Sequence, residues 1–116
     1  MQRHIKNDLL YLLRIVEASK KLQLYSAGFE TWQQFYISNN QLEFNACLNQ
    51  LIQIGEQAKK LSETLTDKYQ HISWHTIKGF RNRIVHEYIA VETEYVFETI
   101  QINIPELIEN IIPIII

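Results

Sequence analysis

Apolar residues recur along this chain at helical spacing. Ile5, Leu9, Leu12, Leu13, Val16 and Leu24 return near every 3.6 residues and predict a first helix over His4 to Ser26. Gly28 follows as a stop signal. Residues 29–38 hold Trp32, Phe35 and Tyr36 and predict a short helical turn whose aromatics pack on the bundle. A second stripe, Leu42, Ala46, Leu48/Leu51, Ile52, Ala58, Leu61 and Leu65, predicts a long helix from Asn40 to Leu65, with Ser38, Asn39 or Asn40 as N-cap. Gly55 falls inside that helix. It costs the helix about 1 kcal/mol relative to Ala and marks a place where another helix comes close.

A polar loop is expected over 66–72. Ser73 then caps a third helix from Trp74 to Glu87, with Ile77, Phe80, Ile84, Val85 and Tyr88 as apolar contacts. The remainder divides at Asn103-Ile104-Pro105, because Pro105 disrupts a helix interior but suits a first turn. This predicts one helix over Glu92 to Ile102 and another over Pro105 to Ile112. The expected fold is all-α: an up-and-down helical bundle of four main helices, with a fifth short one if the last is split, in one domain over residues 1–116.

Composition narrows the class. The chain has 116 residues, 47% of them apolar, which suffices for a core and argues against disorder. Three Gly and two Pro argue against a turn-rich β-protein. The single Cys47 excludes an internal disulfide and a cysteine metal cluster, and its apolar surroundings mark it as core packing. Arg3, Lys6 and Asp8 make the start too charged for a signal peptide, and no segment reaches the length of a membrane span. A cytoplasmic protein with no membrane contact is expected. The apolar tail Ile111–Ile116 is interrupted by Pro113 and should pack along the first helix or against a second chain.

The net charge of −2 does not announce a nucleic-acid binder, but its distribution is uneven. Residues 69–86 lack Asp and Glu and hold Lys78, Arg81, Arg83, His71, His75 and His86. Beyond Arg83 there is no Lys or Arg, only Glu87, Glu92, Glu94, Glu98, Glu106 and Glu109. A local positive site beside a negative flank suits a small phosphate contact better than a long duplex track. Lys59-Lys60, Lys20-Lys21 and Lys68 read most simply as solvated helix faces, with an RNA neighbour among them as the alternative. His71 and His75 are four apart, but no third ligand is suitably placed, so neither a metal nor any other cofactor is expected.

Chemistry concentrates in Arg81-Asn82-Arg83-Ile84-Val85-His86-Glu87-Tyr88. At about 100° per residue, positions 82 and 86 share a face, as do 81 and 88, whereas 81 and 86 stand about 140° apart. Arg81 and His86 therefore meet at one ligand only if the helix ends or distorts near His86, if the long Arg81 side chain wraps round, or if two copies of the helix form a composite site. These groups suit RNA cleavage by the neighbouring 2′-OH. His86 moves the proton near neutral pH. Arg81 clamps the phosphate as charge builds. Asn82 orients the imidazole or donates to the phosphate. A surface ion-pairing helix with a capping histidine would show the same spacing.

The same octapeptide resembles the R-N-x-x-x-H-x-Y signature of HepT-like toxins in the HEPN ribonuclease superfamily. Ile54-Gly55-Glu56-Gln57-Ala58 is similar to that family's I-G-E-A-A segment. Ile72-Ser73-Trp74 with Ile77 resembles its I-P-W…I helix entry, with Ser73 in place of proline, and Pro105-Glu106-Leu107 resembles its L-P-x-L start. The resemblance covers nearly the whole chain in order.

It implies a HEPN-like α-helical homodimer with a cleft at the dimer interface. It also implies a metal-independent endoribonuclease toxin of a type VII toxin–antitoxin system, acting on an RNA such as tRNA or mRNA. The implied partner is a minimal nucleotidyltransferase antitoxin of the MntA kind, which transfers AMP to Tyr88 and can join the homodimer in a larger hetero-oligomer. On this resemblance Arg81 and His86 are catalytic and Asn82 supports them. Glu56 is a helix–helix contact to Arg81 or another cation, and Arg83 and Lys78 are candidate RNA contacts. The alternative is a non-catalytic helical partner of a nucleotidyltransferase that holds a nucleotide or nucleic acid in the same cleft. A plain helical dimerisation domain is the third reading.

Overall fold

A computed structural model describes residues 3–86 and 93–116, with side chains for 7–84 and 93–116. Ile5, Val85 and His86 as side chains, and Glu87, Tyr88 and Glu92 altogether, lie outside that description. Among the described residues the chain is mostly helical, with no strand. The helices are α1 (Arg3–Ser26), α2 (Trp32–Ile37), α3 (Leu42–Lys59), α4 (Glu63–Lys68), α5 (Trp74–His86), α6 (Thr93–Glu98) and α7 (Ile104–Ile115). A π-helical turn, Thr99–Asn103, joins α6 to α7. The long elements α1, α3, α5 and the α6–α7 rod make the four-helix bundle that the hydrophobic pattern predicts.

α3 is central, packing on α1 along one side and α5 along another, while α7 returns along α1. The core is built from Leu12, Ile15 and Leu22 of α1, Leu51 and Ile54 of α3, Phe80 and Ile84 of α5, and Ile104 and Ile111 of α7. Phe35 of α2 is fully buried and meets Phe29, Phe44 and Phe97 in tilted and edge-on ring contacts. The aromatics of this turn thus pack on the bundle, as expected. Cys47 is also fully buried. Burial and the neighbouring Glu43 carboxylate push its thiol up to about 12.

Four details depart from the periodicity. The buried face of α1 is Leu12, Ile15, Ser19, Leu22 and Ser26, so Leu13 and Leu24 point outward, the latter 71% exposed. Leu42 likewise opens α3 facing outward at 64% exposure, and Phe44 and Cys47 carry the buried stripe there.

The second long helix begins and ends inside its expected span. Asn39, Asn40 and Gln41 all have positive φ, so the chain reverses through a left-handed turn and α3 starts only at Leu42. Asn tolerates this conformation better than most residues. At the other end α3 stops at Lys59 because Ser62 turns extended and caps α4. The Ser62 N–H donates to Asp8 Oδ1 at 2.9 Å, its hydroxyl donates to Asp8 Oδ2, and Ser62 Oγ accepts from the Leu65 N–H. Leu65 therefore sits on α4, and part of the expected 66–72 loop is helical.

The last helix does not break at Pro105. Backbone angles stay right-handed helical through Glu98, Asn103 and Ile104, and the Ile104 N–H reaches the Thr99 carbonyl five residues back. The widened turn receives Pro105, which has no N–H to donate, at the first turn of α7. α7 continues past Pro113 to Ile115 and buries Ile111. Ile114 and Ile115 pack against the core and Ile116 is 96% exposed, so the tail lies along α1. No described helix is long and apolar enough to cross a membrane.

Candidate nucleic-acid site on the groove between α3 and α5

Trp74, Ile77, Phe80 and Ile84 bury one face of α5 at helical spacing. The Trp74 indole N–H donates to the Tyr69 carbonyl at 3.1 Å and fixes the helix entry. This leaves Lys78, Arg81 and Asn82 at the edge of the buried face.

Arg81 is placed by Gly55. A Cβ on Gly55 would stand 3.0 Å from both the Arg81 backbone nitrogen and its Cβ, and 3.3 Å from the Ile77 carbonyl oxygen. The helices meet backbone to backbone there, the close approach that an interior glycine predicts. Glu56, next along α3, sets its Oε1 3.8 Å from Arg81 Nε. This is the helix–helix contact expected of Glu56. Both side chains are partly exposed, so the pair contributes roughly 0–1 kcal/mol and matters more for orientation than for stability.

Arg81 opens onto a groove of about 440 Å³ lined by Gly55, Glu56, Lys59, Lys60, Lys78, Arg81 and Asn82. Asn82 is exposed and Lys78 half-buried. Three candidate residues thus come together, and Lys59 and Lys60, read from sequence as a solvated face, join them. The available signal was Lys59 standing four residues beyond Gly55, on the side that Gly55 presents to α5.

Arg83 goes elsewhere. Its guanidinium carbon lies 3.8 Å from the centre of the Tyr95 ring and ties α5 to α6. His86 is the last residue of α5, and the helix is unbroken from Arg81 to it. Positions 81 and 86 therefore stay about 140° apart around one axis. The His86 side chain and Tyr88 are outside the described residues. His71 is exposed ahead of α5 with its ring centre 6.3 Å from that of Tyr69.

An open apolar groove of about 420 Å³ also borders α3 and α5, lined by Leu42, Asn45, Ala46, Leu48, Asn49, Ile52 and Ile84.

The chain is similar to several proteins named as putative RNases. A Methanocaldococcus jannaschii protein named as a putative RNase is 33% identical over 72 residues, 62% of this chain and 61% of that protein. A Caldanaerobacter subterraneus subsp. tengcongensis protein with the same kind of name is 39% identical over 54 residues, 47% of this chain and 48% of that one. A third, from M. jannaschii and named as a gamma-glutamylcyclotransferase and putative RNase, is 27% identical over 114 residues, 98% of this chain and 49% of its own length. The chain thus spans between about half and three fifths of the curated relatives it matches. No solved structure matches it. The model of the Ribonuclease HepT-like family matches residues 11–114, nearly the entire bundle and the whole α3–α5 groove, and the chain belongs to that family.

Proposed function

We propose that this chain is a metal-independent endoribonuclease, the toxin of a type VII toxin–antitoxin pair, with Arg81, His86 and Asn82 as its catalytic set. The observation that carries this reading is the seating of Arg81: its backbone rests on Gly55, its side chain is steadied by Glu56, and it faces a cationic groove shared with Asn82. A guanidinium held this way needs little reorganisation to meet a phosphate.

In the reaction the 2′-oxygen attacks phosphorus and the bond from phosphorus to the 5′-oxygen breaks. The products are a 2′,3′-cyclic phosphate and a free 5′-hydroxyl. One imidazole takes the 2′-OH proton and another protonates the leaving oxygen. Arg81 and Asn82 donate to the phosphate oxygens where negative charge builds.

The unbroken helix keeps positions 81 and 86 on different sides of α5, so a homodimer that brings two copies of α5 together is part of the reading. Its support is the apolar groove on the same pair of helices, with Leu42 largely exposed there. The nucleotidyltransferase partner is an antitoxin that places AMP on Tyr88, adding a phosphate that competes with RNA for the site.

The test is cleavage of RNA by purified dimer in excess chelator. Wild type should cut, and Arg81→Ala and His86→Ala should each fall by about 10² or more. Full cleavage by folded His86→Ala would sink the mechanism. Coexpression with the partner should add one or more AMP masses, and Tyr88→Phe should abolish the addition. A modified Tyr88→Phe protein would mean a different acceptor.

A further inference from the structure

Four of the eleven Lys and Arg residues, Lys59, Lys60, Lys78 and Arg81, line one groove with one carboxylate, in a chain whose formal net charge is −2. They come from the end of α3, its C-cap Lys60 and α5, about 20 residues apart in sequence. Gathering like charges around a cleft repels and is offset when an anion occupies it. Glu56 is engaged at Arg81 Nε and lies at the Arg81 end. Lys60 Nζ stands 5.7 Å from the centre of the Tyr11 ring, so α1 steadies the far wall.

We infer that this groove is the track for the sugar–phosphate backbone of a single RNA strand, with Lys59, Lys60 and Lys78 holding phosphates on one side of the bond that Arg81 clamps. This deepens the ribonuclease reading and rests on it. The groove holds about 440 Å³, room for a short stretch of one backbone and not for a duplex. Lysine heads are mobile point charges that follow a backbone without selecting a base. The lysines are therefore binding residues, separate from proton transfer.

The experiment titrates the intact protein into a fluorescent single-stranded 2′-O-methyl RNA, which lacks the attacking hydroxyl, across a series of NaCl concentrations. Lys59→Gln/Lys60→Gln/Lys78→Gln is compared with Lys20→Gln/Lys21→Gln/Lys68→Gln, which removes the same charge elsewhere. Each single-strand phosphate contact contributes about 0.7 to the slope of log affinity against log salt. The groove variant should lose about two units of slope and about tenfold or more in affinity at 50 mM salt. The control variant should stay within about twofold of wild type, and both should remain folded with melting temperatures within a few degrees of wild type.

Equal losses in the two variants, a groove variant that binds like wild type, or a wild type without measurable RNA affinity would each overturn the groove. Cleavage of ordinary RNA is read in parallel. Cutting that persists while the groove variant binds normally removes the track and keeps the ribonuclease. RNA held through the groove but never cut does the reverse.

Discussion

Replacing Gly55 with Ala tests the close approach of α3 and α5. At an unhindered helix position the change should stabilise the protein by about 1 kcal/mol, because Ala loses less backbone freedom on folding. At Gly55 the new methyl would stand 3.0 Å from two Arg81 atoms, one of them backbone, and 3.3 Å from the Ile77 carbonyl oxygen. Neither helix can yield by rotating a side chain, so α5 must shift. Overpacking of this kind costs about 1–3 kcal/mol. Set against the propensity gain, the net is about 1 kcal/mol of destabilisation. Gly79 on α5 is the matched control, since a Cβ there meets nothing within 4 Å and Gly79→Ala should stabilise by about 1 kcal/mol. Urea unfolding should therefore separate the two variants by about 2 kcal/mol, or about 1 M in midpoint at unchanged slope. The displaced atoms carry Arg81, so Gly55→Ala should also lose about tenfold or more in RNA cleavage at a temperature where both variants are folded. If Gly55→Ala stabilises as much as Gly79→Ala, the close approach is wrong.

Asp8 is buried and holds Ser62 through two hydrogen bonds, so Asp8→Ala should destabilise by about 2–3 kcal/mol in denaturant titration; a change below about 0.5 kcal/mol would remove it as the clasp between α1 and α4. Cys47 keeps its proton in the folded state up to about 12, whereas in the unfolded chain it ionises near 9. The raised folded value means its contribution is intact below pH 9 and is lost as pH climbs toward 12, at about 1.4 kcal/mol per pH unit. Cys47→Ala should show a shallower loss of stability between pH 9 and 11, and parallel profiles would refute the assignment. The Arg83–Tyr95 stack should give about 0.5–1 kcal/mol of coupling in an Arg83→Met/Tyr95→Leu double-mutant cycle, with additivity as the contrary result.

Local signals carried much of this fold. Gly28, Gly55 and Ser73 stand where the helices end, cross or begin, and each is marked by its own residue type without knowledge of its partner. What could not be read required partners distant in sequence. Ser62 ends α3 because Asp8, 54 residues earlier, accepts its N–H and hydroxyl. The phase of α1 could not be fixed from Leu12-Leu13, since either leucine continues a stripe until Ile15 and Leu22 are seen facing α3 and α7. For the site, Arg81 and Asn82 were legible from one octapeptide. Lys59 and Lys60 were not, because their place beside Lys78 depends on two antiparallel helices crossing at Gly55.

The π turn at Thr99–Asn103 has a consequence for chain length. Val96, Ile100, Ile104, Leu107 and Ile111 form the ridge of the final helix, 15 residues over four turns, or 3.75 per turn. A straight α-helix advances about 100° per residue and would overrun that ridge by roughly 60°. One widened turn absorbs the surplus, so both ends of the rod present the same edge to their neighbours. The last helix is thus tuned to a particular number of residues more than to particular identities. Deleting Gln101 would keep every isoleucine and still swing those on one side of it toward water.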